Sequence, residues 1–268
     1  MVLVDGHVHV HECFGVARLF DAAAANFAAA ARALAGEREY DAVLCLVESR
    51  GERFLDAVRA RRDRVWRGDH GFWEIEPTCE PETLVACRGS TRLNLIAGRQ
   101  IVTRERLEVL ALGTTVPLPD GERIETTLAA VRDAGAAAVL PWGVGKWLGA
   151  RGGVVARILA APEWRHVLLG DNGNRLELGP DPAEFAAARC AGRAVLPGSD
   201  PLPLRGEEAR VGAYGFAVDV ALDRLRLAAA LLALLKSGST FVVFGRRQPL
   251  VRFGRNQVAL KLKSRRRA

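Results

Sequence analysis

The feature that most limits how this chain can fold is a series of short apolar runs, each closed by polar or glycine-rich residues. Val2-Leu-Val precedes Asp5-Gly6, and Asp41-Ala-Val-Leu-Cys-Leu-Val precedes Glu48. Ala137–Leu140 ends at Pro141, His166–Leu169 at Gly170-Asp-Asn-Gly-Asn174, and Ala194–Leu196 at Pro197-Gly-Ser-Asp200. Runs that are apolar at successive positions, not at alternate ones, suit parallel strands covered on both faces. Helical spacing separates several of them. Residues 16–35 are alanine-rich, with Phe20, Phe27 and Leu34 on one side and Gly36 at the stop. Glu52–Arg64, Ile124–Ala134 before Gly135, and Val218–Leu235 also read as helices, and Thr240–Phe244 as a last strand. Strands alternating with helices predict an α/β fold with a parallel sheet, and the number of units favours a closed barrel.

Residues 65–112 break this rhythm. Phe72–Pro77 and Glu82–Arg88 alternate like half-exposed strands and predict a hairpin inserted into the barrel; Leu93–Ile101 and Leu107–Leu112 follow as two apolar runs around a charged turn. The net charge of +7 is a property of the C-terminus, since residues 246–268 carry nine basic side chains and no acid. The expected organisation is therefore a barrel over residues 1–245 and a basic tail over 246–268. Such a tail suits contact with an anionic membrane surface, a nucleic acid or an acidic partner, or simple solubilisation. A chain-wide case for nucleic-acid binding fails. Five scattered cysteines without a Cys-x-x-Cys pair suggest neither a disulfide framework nor a zinc knuckle. With no long apolar run and no basic, apolar leader, a cytoplasmic location is expected.

In parallel barrels functional groups gather at the C-terminal ends of strands. That rule selects His7, His9, His11, Glu48, Arg50, Gln100, Lys146, Asp171, Asn172, Ser199 and Asp200. His7 and His9, two apart on a strand, face the same way, so two imidazoles can reach one divalent ion; the alternative is a hydrogen-bonded pair at a loop entrance. Asp200 can add a carboxylate from across the barrel. Lys146, among the glycines of Trp142-Gly-Val-Gly-Lys-Trp147, is an anion-binding candidate, as are Arg99 and Arg175.

Taken in order, His7-Val-His9, Ala97-Gly-Arg-Gln-Ile-Val-Thr103 with Leu107-Glu-Val-Leu-Ala-Leu-Gly113, Gly135-Ala-Ala-Ala-Val-Leu-Pro-Trp-Gly143 and Pro197-Gly-Ser-Asp200 resemble the successive motifs of the polymerase and histidinol phosphatase (PHP) family. The resemblance implies a distorted seven-stranded, TIM-like (β/α) barrel and a metal-dependent phosphoesterase with up to three metals. It also implies losses. Glu48-Ser49 stands where an Asp-His pair is usual, Gln100 replaces a bridging glutamate, Pro141-Trp142 replaces a His-Pro step, and Leu202 occupies the place of the last histidine. The ligands left are His7, His9, Asp200 and Glu48, enough for one Zn, Mn or Fe ion with an open water position, or for none. The chain then reads as a hydrolase with a reduced metal site acting on a small anionic molecule. The alternative is a non-catalytic barrel that binds an anion near Lys146 and docks through its tail. A weaker resemblance to amidohydrolases lacks their two mid-barrel histidines.

Overall fold

The computed structural model describes residues 1–36, 38–52, 54–60, 65–143, 145–238 and 241–265. Residues 61–64 of the expected second helix, Thr240, Arg266 and Arg267 lie outside the described residues. The seven-stranded (β/α) barrel with strands and helices in alternation is not the fold adopted. Among the described residues the chain forms one mixed twelve-stranded sheet with seven α-helices. In chain order the strands are β1 (Val2–Val8), β2 (Asp41–Glu48), β3 (Val65–Gly68), β4 (Gly71–Pro77), β5 (Thr83–Arg88), β6 (Thr91–Val102), β7 (Glu108–Leu112), β8 (Ala137–Pro141), β9 (Leu168–Asn172), β10 (Val195–Gly198), β11 (Tyr214–Val218) and β12 (Val242–Gly245). The helices are α1 (Val16–Ala35), α2 (Phe54–Ala60), α3 (Ile124–Asp133), α4 (Ala150–Ala160), α5 (Ala183–Cys190), α6 (Leu227–Lys236) and α7 (Leu250–Arg265).

Nine strands follow one another in the order β10-β9-β8-β7-β6-β2-β1-β11-β12, and β3, β4 and β5 branch from β6. Only β1–β2, β2–β6, β8–β9 and β9–β10 run parallel. For β6 and β7 the physical reason is connection length. A parallel neighbour needs a crossover of a dozen residues or more. The link from β6 to β7 is only Thr103–Leu107, so those strands pair antiparallel. Length does not decide every pair: the link from β7 to β8 carries α3 and those strands still run antiparallel, as β11 does to β1. The predicted hairpin is present as part of a longer meander, β3 to β6, in which each strand pairs antiparallel with the next.

The path curls into a nearly closed barrel. Val2, Val4, Val43, Cys45, Ile96, Leu110, Val139, Leu168, Leu196 and Phe216 pack together inside it. α1 covers one outer side with Leu19, Phe20 and Phe27, while α3, α4 and α5 cover the opposite stretch over Ala138, Leu140 and Leu169. Closure falls where β10 meets β1. A Cβ at Gly198 would lie 2.4 Å from the His7 nitrogen, and one at Gly6 would lie 2.8 Å from the Pro197 oxygen. Only glycine permits backbones to approach so closely.

The basic C-terminal segment is integrated at its start. β12 pairs with β11, and Gln248 bridges to Leu176 before α7 begins. No described helix is long and apolar enough to cross a membrane.

Candidate metal centre

β1 carries the two histidines, and its register against β2 slips between Asp5 and Val8. This irregularity re-aims side chains next to it, the usual effect of a bulge beside a functional site. Asp5, fully buried, fixes the surrounding backbone. Its Oδ1 accepts from the Ser199 nitrogen at 2.8 Å and the His7 nitrogen at 3.3 Å, and its Oδ2 from the Gly212 nitrogen at 2.8 Å. Burial outweighs these donors and raises the Asp5 pKa to about 6. The Asp200 nitrogen then donates to the His7 oxygen at 2.8 Å.

That scaffold brings three ligand atoms together. His7 Nε2 lies 3.1 Å from His9 Nε2 and 3.5 Å from Asp200 Oδ1, and His9 Nε2 lies 3.9 Å from Asp200 Oδ1. Ligands roughly 2.0–2.1 Å from a four-coordinate zinc stand about 3.3 Å apart, close to these separations. Gln100 Oε1, 3.2 Å from His9 Nε2, adds a neutral oxygen. On the far side of the ring, His9 Nδ1 meets Glu52 Oε2 at 3.1 Å. A carboxylate can only accept there, so Nδ1 carries the hydrogen and a neutral His9 turns its Nε2 lone pair towards His7 and Asp200. Glu52 is itself held by the Ser49 nitrogen at 2.7 Å and His11 Nδ1 at 2.5 Å, while His11 Nε2 donates to the Pro201 oxygen at 3.0 Å.

The two carboxylates of the cluster are held ionised. Burial opposes ionisation of Asp200, yet His7, His9 and Lys146 outweigh it and hold its pKa below the ordinary value. Burial acts the same way on Glu52, and His11 and His9 bring it well below the usual carboxylate range. Burial lowers His7. For His9 burial is again the largest effect, but the Glu52 hydrogen bond and the charges of Asp200 and Glu52 together overcome it and raise the pKa.

The other residues selected from the sequence fall elsewhere. Glu48 turns away from the cluster: its Oε1 accepts from the Leu55 nitrogen at 2.7 Å at the start of α2, and its Oε2 lies 3.7 Å from Arg99. Both line a crevice of only about 10 Å³. Arg175 is tied up by Asp171 at 2.9 and 3.0 Å, Asp181 at 2.8 Å and the Pro180 oxygen at 3.0 Å, with Tyr214 also donating to Asp171 at 2.7 Å. Lys146 pairs with Glu108 and acts electrostatically on His7 and Asp200. Glu52 is the member of the cluster that reading the sequence by strand ends overlooks. The signal for it is the turn Ser49-Arg-Gly-Glu52, in which Gly51 adopts φ +92° and the Glu52 nitrogen donates to the Ser49 oxygen, folding the chain back over the end of β2.

No family model matches the sequence, and no curated protein matches it. Among solved structures, the crystal structure of PsfC from Pseudomonas syringae PB-5123 aligns with a TM-score of 0.54 at 14% identity, over 99% of this chain and 98% of that chain. At this identity the likeness concerns the fold alone.

Proposed function

We propose that this chain is a metal-dependent hydrolase of the phosphoesterase type, with one divalent ion held by His7, His9 and Asp200 and a small anionic molecule as substrate. The observation that carries this reading is the convergence of three ligand atoms with a carboxylate behind one of them. Two imidazoles and one carboxylate suit Zn, Mn or Fe(II) and leave coordination positions open. Held by these residues, such an ion would polarise a substrate oxygen and lower the pKa of a bound water. Glu52 orients His9, and Gln100 offers a further oxygen. The motif resemblance to the PHP family belongs to this proposal, as does a cytoplasmic location, which the five free cysteines support. The non-catalytic alternative, anion binding at Lys146, is less well supported because Glu108 already pairs with that lysine.

Metal analysis of the purified full chain after incubation with Zn, Mn or Fe(II) tests the reading, together with metal-dependent release of p-nitrophenol from p-nitrophenyl phosphate. About one equivalent of metal, lost in His7→Ala plus His9→Ala while the circular dichroism spectrum persists, is expected. Uptake below about a tenth of an equivalent, or uptake unchanged in the double variant, overturns it.

A further inference from the structure

Asp200 is one of only two non-glycine residues with positive φ among the described residues, at +44°. Such a backbone costs energy in a residue with a Cβ and persists only where its surroundings hold it. Two bonds hold it: the Asp200 nitrogen donates to the His7 oxygen at 2.8 Å, and Asn174 Nδ2 donates to the Asp200 carbonyl oxygen. The Asn174 amide is in turn fixed at its other end. Its Oδ1 accepts from Gln248 Nε2 at 2.7 Å and from Arg210 Nη1 at 2.7 Å, which also settles which end of the amide is oxygen. All three side chains are buried.

Gln248 belongs to the C-terminal segment, and its backbone is anchored in both directions. Its nitrogen donates to the Arg175 oxygen at 3.1 Å, and its oxygen accepts from the Glu177 nitrogen at 2.9 Å. A second route reaches the same amide from α7. Arg252 Nε lies 3.6 Å from Glu207 Oε1, Glu207 Oε2 lies 3.6 Å from Arg210, and Arg210 Nη2 donates to the Gly173 oxygen at 2.6 Å. The segment from Gly245 onward therefore bonds to the residue that grips a ligand of the candidate centre.

We infer that Asn174 and Gln248 are positioning residues for Asp200, so that the C-terminal segment sets the metal affinity of a site formed by residues far from it in sequence. The inference rests on the proposed metal-binding function. Removing the grip lets the Asp200 backbone relax towards negative φ and carries its carboxylate away from His7 and His9. Partners of metal ligands contribute roughly 10–100-fold in affinity.

The test is Co(II) titration of the full-length native chain and of Asn174→Asp, Gln248→Ala and Asn256→Ala. Asn174→Asp keeps the acceptor for Gln248 and Arg210 but loses the donor to Asp200. Asn256 is equally buried on α7 and stands outside these bonds, so its variant measures a general loosening of the helix. The expected result is Co(II) affinity about 10-fold or more weaker in Asn174→Asp and Gln248→Ala, with altered visible absorption bands, and native-like binding in Asn256→Ala. Affinity within about twofold of native with unchanged bands in the first two variants overturns the inference, as does an equal loss in Asn256→Ala. If the native chain binds no Co(II), the proposed function fails. The positioning role is then judged from the imidazole ¹⁵N signals of His7 in metal-free protein. A shift in Asn174→Asp sustains it, and unchanged signals overturn it.

Discussion

Replacing Gly198 with alanine is a direct test of how the barrel closes. The added methyl would sit 2.4 Å from the His7 nitrogen, 2.6 Å from the His7 Cβ and 3.0 Å from the Gly6 carbonyl carbon. Most of what it meets is main chain, so no rotamer change makes room, and β10 must retreat from β1 by about 1 Å to restore ordinary contact. Overpacking of this kind costs about 1–3 kcal/mol, and rigid neighbours place this case at the upper end. For a chain of this size that corresponds to a fall in Tm of roughly 6–12 °C. Gly153 supplies the internal comparison. It is exposed within α4, nothing lies within 4 Å of its would-be Cβ, and alanine there should stabilise by about 0.5–1 kcal/mol. Urea denaturation of metal-free native, Gly198→Ala and Gly153→Ala proteins reads both values. The same chemical change should thus have opposite signs at the two sites. Gly198→Ala within about 0.5 kcal/mol of native would refute the closure described here.

Glu52→Gln should weaken metal binding by roughly 10–100-fold, read by chelator competition, because a neutral amide no longer fixes the His9 tautomer. Arg175→Ala should destabilise by about 3–5 kcal/mol in urea melts, since it strands buried Asp171; Tyr214→Phe should cost about 1–2 kcal/mol. Asp5 makes stability fall as pH rises. Its pKa is about 6 folded against the ordinary 3.8 of an unfolded aspartate, so between those values the unfolded chain has released a proton that the native state keeps. The slope is then negative, and on the order of 3 kcal/mol disappears from about pH 3 to about pH 7. Asp5→Asn should remove that component of the pH dependence, whatever it does to absolute stability; an unchanged pH profile counts against the assignment.

The strands nearest the candidate centre were legible because apolar runs buried on both faces carry their own signature: β1, β2 and β8 follow the expected limits closely, and α1 does so at both ends. Strand direction was not legible. Nothing in the pattern of Leu93–Ile101 and Leu107–Leu112 distinguishes a parallel from an antiparallel pair, and only the brevity of Thr103–Leu107 decides it. Reading strand ends found His7, His9 and Asp200, whose spacing and strand-end position mark them. It selected Glu48 over Glu52 because it stopped at the last strand residue and did not follow the Gly51 turn. The C-terminal segment read as a tail because its basic composition hides Gln248, a single neutral side chain whose importance lies entirely in tertiary contact.

The joining of β1 to β10 also orders events in time. His7 and His9 leave the ribosome about 190 residues before Asp200 and the glycine that admits it. At roughly 5–20 residues per second, the histidines wait on the order of 10–40 s for their carboxylate. During synthesis β1 can pair with β2 long before its other edge is covered, leaving two buried-type imidazoles and an open strand edge exposed to whatever the cell offers. The candidate centre is thus assembled late, only after residues 1–200 have been made.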